Sequence, residues 1–165
     1  QKEKNMTWPD ENSTSVLPYA THKLRIRYAH ASQSGWESRT TADVAHCTEK
    51  HFPSETGYML SQNIGYRGKG PFAGDFYLAF FNAESYNVRL YSYERNLLNS
   101  FYMPSFYGKG CRLSASAKYE VSATLTLSLK AAHTRYFNRN TIGSGTELID
   151  GNHRTDLYFY MRWKF

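Results

Sequence analysis

No part of this 165-residue chain approaches 18 consecutive apolar residues, so a transmembrane helix is excluded. A membrane strand needs only about 9 to 11 residues, and only alternate ones must be apolar. The low mean hydropathy of −0.64 therefore does not count against a membrane barrel. Cysteine is scarce as well. Cys47 and Cys111 are too few for a disulfide scaffold and lack the spacing of a metal site. A single bridge between them and two unpaired packing thiols are both open readings, the second being preferred. Residues 1–15 contain no apolar signal-peptide core, so an export signal is expected to have been removed or to lie upstream.

Acidic residues are in deficit, 14 against 20 Lys and Arg, which gives a net charge of +6 and a pI near 9.3. Such an excess suits nucleic acid, but the cations stand singly, often at alternate positions, as on a solvated strand face or a lined lumen. The six histidines lack ligand spacing, and His46, Cys47 and His51 make a weak metal site at best. His133 and Ser128 fall on opposite strand faces and form no dyad, so no enzyme and no cofactor are expected. Gly68-Lys69-Gly70 and Gly108-Lys109-Gly110 lack the spacing and following helix of a phosphate loop and read as turns.

Aromatic residues are abundant, at 16%, with 14 Tyr and 10 Phe, and a disordered chain would not carry them. The length suits one domain. Residues 1–21, polar and marked by Pro9 and Pro18, read as a leader or linker, and residues 22–165 as an antiparallel β-barrel domain. Alternation of period 2 begins at residue 22, where Leu24, Ile26 and Tyr28 oppose Lys23, Arg25 and Arg27. Weaker alternation covers 38–47 and 58–67, and Phe76 to Phe81 and Tyr86 to Tyr93 supply a fourth and a fifth strand. The last three strands are the clearest. Leu113 and its neighbours oppose Arg112, Lys118 and Glu120; Leu125, Leu127 and Leu129 oppose Lys130; and Leu157, Phe159, Met161, Trp163 and Phe165 oppose Asp156, Arg162 and Lys164.

The count is about eight strands with unequal connections: short at 82–85 and near 120, long at 96–110 and 138–154. Alternation of short and long ends is expected of an outer-membrane barrel, with tight periplasmic turns and long external loops. On that reading Leu113, Leu125, Leu127, Leu129, Leu157, Phe159, Met161, Trp163 and Phe165 face lipid. Arg25, Arg27, Arg112, Lys118, Glu120, Lys130, Asp156, Arg162 and Lys164 then face the lumen, and with Lys23 and Glu94 on the same charged face they must pair there, because unpaired buried charge is costly. The loop aromatics Phe101, Tyr102, Phe106 and Tyr107 offer either a partner contact or self-packing.

The final strand, stopping on Phe165, resembles the C-terminal recognition strand of bacterial outer-membrane proteins, which implies the barrel-assembly machinery as a partner. Tyr91-Ser92-Tyr93-Glu94, Pro104 to Arg112, Ile142-Gly143-Ser144-Gly145, Asp150-Gly151-Asn152 and Arg162-Trp163-Lys164-Phe165 resemble the C-terminal region of large helix-hairpin-helix-containing proteins of Bacteroidota. The likeness spans about residues 75–165 and implies an outer-membrane barrel. No helix-hairpin-helix element is visible, so DNA binding by a separate N-terminal module does not transfer to these residues.

The leading expectation is an antiparallel up-and-down transmembrane β-barrel in the outer membrane of a Gram-negative bacterium, either complete or the C-terminal part of a wider one. It would serve as scaffold, small channel or subunit of an envelope complex, with lipid and other envelope proteins as partners. The alternatives are a soluble lipocalin-like ligand-binding barrel, and the barrel part of a protein whose N-terminal module binds DNA.

Overall fold

The computed structural model describes residues 2–7, 14–49, 52–143 and 145–165, with side chains from residue 19 onward. The wall is one antiparallel sheet. It is built from β1 (Lys2–Thr7), β2 (Thr14–Ala31), β3 (Trp36–Glu49), β4 (Glu55–Arg67) and β5 (Phe72–Ala83), followed by β8 (Gly108–Glu120), β9 (Leu125–Tyr136) and β12 (His153–Trp163). Two short ribbons stand apart from it: β6 (Leu90–Tyr91) with β7 (Ser105–Phe106), and β10 (Thr141–Ile142) with β11 (Ile149–Asp150). The order in the wall is β1-β2-β3-β4-β5-β8-β9-β12, with each strand beside its predecessor. Among the described residues β1 and β12 are free edges and the sheet is not closed.

The expected leader over 1–21 differs from what is observed. β1 pairs antiparallel with the first part of β2, Lys2 opposite Tyr19 and Thr7 opposite Thr14, so strand begins well before residue 22. A polar strand outside the apolar belt needs no alternation of hydrophobicity, which is why its composition resembles that of a linker. The expected fifth strand at 86–93 is also corrected. It holds a turn of 3-10 helix at Tyr86–Val88 and then β6, and β5 pairs directly with β8 instead.

These corrections sharpen the asymmetry of the connections. The turns at 32–35, 68–71 and 121–124 lie at one end of the wall, which also receives the C-terminal end of β12. The longer connections, 84–107 and 137–152, lie at the other. We call these the turn end and the loop end. Gly35 shows why the turns are so tight. Its φ of +89° is left-handed, and a Cβ there would stand 2.6 Å from the Arg67 carbonyl oxygen. At 121–124, Ser122 Oγ accepts the N–H groups of Thr124 and Leu125, closing the turn locally.

Segment 84–107 folds back inside the concave face instead of standing away from it. Its apolar residues Val88, Leu90 and Phe106 are buried with Ala45, Cys47, Met59, Ala79, Phe81, Ala83 and Tyr136 in the one apolar core of the described residues. Phe106 stacks on Phe81 at 4.6 Å between centroids, and Tyr136 meets Phe81 edge-on at 5.5 Å. Gly57 makes the approach possible, since a Cβ there would lie 2.6 Å from the Val88 carbonyl oxygen.

Candidate functional site

Each long strand presents two chemically different faces, and the register keeps them continuous across the sheet. Outward rows include Leu24, Val44 and Tyr58, and also Phe76, Ala115, Ala131 and Leu157. Large apolar residues on this face are open to the surroundings: Ile26 at 64%, Leu60 at 56%, Phe159 at 68% and Trp163 at 63%. Outward-directed Leu113, Leu129, Leu157, Met161 and Phe165 are likewise exposed, whereas Leu125 and Leu127 are half-buried. A water-soluble barrel would show the opposite arrangement, because contiguous exposed apolar patches of this extent are rare on soluble monomers.

The outward band is bounded at both ends. Towards the turns it finishes in aromatic rings: Tyr28, Trp36, Tyr66, Phe72, Tyr119, Trp163 and Phe165. Trp36 and Tyr66 are 5.0 Å apart between centroids, and Trp163 stacks on Phe165 at 6.0 Å. Towards the loops the outward positions become polar, with His22 opposite His46, Asn82 opposite Lys109 and Arg135 opposite His153. The outward stripe on β4 from Tyr58 to Tyr66 measures about 26 Å at about 3.3 Å per residue, or about 20 Å after a tilt of about 40°. Polar side chains inside the band satisfy one another: Thr40 donates to Gln62 Oε1 at 2.6 Å, and Gln62 Nε2 donates to Ser38 Oγ at 2.9 Å.

The inward face is ionic at mid-height, and segment 84–107 supplies Glu94 and Arg95 to it. Glu94 accepts two hydrogen bonds from Arg112, at 2.7 and 2.6 Å, and a third from Lys130 Nζ at 2.8 Å. Arg112 also donates to Thr134 Oγ1 at 2.7 Å, and its side chain is only 2% exposed. Burial alone would raise the Glu94 pKa, but the two cations overcome it and hold the carboxyl below its ordinary value. A second cluster joins Arg67 to Asp75 and Glu37, with Arg95 beside both. On β2, Arg25 pairs with Asp43 and lies 3.9 Å from the Tyr93 ring, while Lys23 sits 5.3 Å from that of Tyr91. Residues 91–96 thus touch the inward faces of β2, β3, β5, β8 and β9.

The predicted lumen-facing residues divide into two groups. Arg112 and Lys130 are deeply buried, Asp156 is half-buried beside Arg154 at 2.7 Å, and Arg25 is paired. Lys118, Glu120, Arg162 and Lys164 are exposed. They line a vestibule of about 640 Å³ at the turn end with Arg67, Arg95 and Asp75, and Lys118 pairs there with Glu120. Arg27 is exposed beside the free edge of β2. Glu94 is expected from the sequence only as one more charge on the face that must pair across the lumen; its spacing after Tyr91 and Tyr93 gives no local sign of which partners it takes, 18 and 36 residues away.

Of the loop aromatics, Phe101 is 95% exposed and Tyr102 and Tyr107 are open, so a contact surface remains there. Phe106 is withdrawn from that set, since it is part of the core. Tyr107 packs edge-on against Tyr86 at 5.6 Å and beneath the Arg139 guanidinium at 4.4 Å. Cys47, Glu49 and Glu55 bring ligand atoms within 4.8 Å of one another, but Asn87 Nδ2 donates to both carboxylates and Ser85 donates to Glu55. Hydrogen bonds within the protein account for that cluster. His51 lies outside the described residues.

Cys47 and Cys111 are both free thiols, on opposite faces of the wall: Cys47 is buried inward and Cys111 is half-exposed outward. Titration with a thiol reagent on the folded protein should modify Cys111 alone, with Cys47 reacting only after unfolding. Two equally fast thiols would contradict this arrangement.

No known protein family, curated protein or solved structure matches the chain.

Proposed function

We propose that the protein is the wall of an outer-membrane β-barrel whose lumen is closed by its own segment 84–107, acting as an anchor or scaffold in the envelope of a Gram-negative bacterium. One observation carries this reading. The sheet turns its apolar alternate residues outward on each long strand and keeps its ion pairs inside, as a strand wall in lipid must. The aromatic ring at the turn end, the polar rim at the loop end and the short-turn asymmetry support it. So does the resemblance of the last strand, ending on Phe165, to the strand that barrel-assembly machinery reads. The lipocalin-like alternative needs an apolar interior, and the middle of this interior is ionised.

The filled lumen favours a scaffold over an open channel. An eight-stranded barrel has room inside for side chains only. The segment enclosed here includes main chain, so a wider wall is the better reading. This agrees with the resemblance to the C-terminal region of the large Bacteroidota proteins.

Vesicle flotation tests the membrane reading. Refolded protein should rise with phosphatidylethanolamine–phosphatidylglycerol vesicles, resist extraction by carbonate, and migrate differently on a detergent gel before and after boiling. Recovery as a monodisperse species in detergent-free buffer would reject it.

A further inference from the structure

The two edges of the wall run in the same direction. With antiparallel neighbours throughout, β2 and β12 both travel from the loop end to the turn end. Joined directly, they would make the one parallel pair in an antiparallel sheet. β1 does not fill the place between them, because it covers only Thr14–Tyr19 and leaves the edge of β2 from residue 20 to 31 unpaired. Its line, extended backward past Lys2, runs down that bare edge and is antiparallel to both β2 and β12. A second copy in the same membrane orientation offers its β2 to β12 in the same parallel sense, so it does not meet the requirement.

Charge marks the same seam. Several inward cations are paired: Arg67 with Asp75, Arg112 and Lys130 with Glu94, and, on the edge strands themselves, Arg25 with Asp43 and Arg154 with Asp156. At the turn end of the two edges, Arg27 on β2 and Arg162 on β12 have no ion pair among the described residues, although both lie on the inward-facing set. Strands that cover these two exposed cations take them out of water, so those strands should bring counter-charge.

We propose that the wall is completed by an odd number of further strands that add antiparallel to the free edges of β2 and β12 and bear acidic residues on their inward faces. Such addition supplies the main-chain hydrogen bonds that an open edge lacks. An odd number also brings the seven long strands to the even total of bacterial single-chain barrels. The inference rests on the membrane reading, because lipid is what forbids an unpaired edge at this height; vesicle flotation examines that reading separately.

The probe is a synthetic eleven-residue peptide of alternating glutamate and leucine, added to the protein in detergent micelles and followed by amide hydrogen exchange. Edge amides in 20–31 and 153–163 should slow at least tenfold, with β4 unchanged. The lysine–leucine counterpart should not protect them. The double variant Arg27→Glu, Arg162→Glu, altered only at exposed sites, should reverse that preference. Absent protection, or equal protection by both peptides, would overturn the proposal. So would a quantitative disulfide between Leu24→Cys and Phe159→Cys without peptide, in a background lacking Cys47 and Cys111, because it would show direct parallel closure. Failure to float with vesicles alongside selective peptide protection would remove the membrane reading and leave the strand addition standing.

Discussion

Leu129→Arg is expected to destabilise the protein in a bilayer by about 2–4 kcal/mol, the cost of a cation near the midplane on the lipid face of a barrel. Leu129 stands at the centre of the outward stripe of β9, opposite Phe159 and Ala117, and is 53% exposed. Reversible unfolding by urea in vesicles gives the comparison with wild type. The control is Arg135, outward on the same strand at the polar rim, where Arg135→Leu should change stability by no more than about 0.5 kcal/mol. If the outward face met water, Leu129→Arg would be close to neutral or would improve solubility. A neutral Leu129→Arg measured in lipid would therefore sink the assignment of this face.

Glu94→Ala should cost about 3–5 kcal/mol, because it leaves two buried cations, Arg112 and Lys130, without their shared carboxylate. The loss should exceed that of truncating any exposed loop aromatic, Phe101 included. Replacing the whole triad with Glu94→Leu, Arg112→Met and Lys130→Met should recover most of the stability, since an apolar substitute of similar volume has no ions to desolvate. If Glu94→Ala unfolds like wild type, segment 84–107 is not held in the lumen by this network.

The same residue sets a pH dependence. The folded-state pKa of Glu94 is depressed, so its contribution is present above the unfolded value near 4.5 and is lost as pH falls through the lower, folded value. Wild-type stability should decline across that acid window. Glu94→Gln should start lower at neutral pH and lack this part of the decline. An identical acid profile in both proteins would show that other carboxylates govern it.

Much of the wall is legible in the sequence because each of its clearest strands carries its pattern locally. The apolar and polar residues alternate without interruption from Cys111 to Glu120 in β8, from Leu125 to Ala131 in β9 and from Leu157 to Trp163 in β12, and the turn at 121–124 follows from the Ser122 side chain, which bonds the backbone just after it. The segment at 86–93 misleads because alternation there also suits a ribbon lying inside a barrel. Tyr91 and Tyr93 alternate with Leu90, Ser92 and Glu94 in either place, and the choice depends on Arg25, Arg112 and Lys130, far away in sequence. Phe106 reads as a loop aromatic for the same reason: its partner Phe81 is on another strand.

Taken alone, the amino-acid order determined that the chain forms strands with one apolar and one charged face, since a period of two is a property of neighbours along the backbone. It left open which face turns outward, what fills the concave side and whether the edges meet. Tertiary structure decided the first two, because burial and ion pairing arise only when distant strands are brought into register. It also left two edges running the same way, a matter of strand parity that no local pattern encodes.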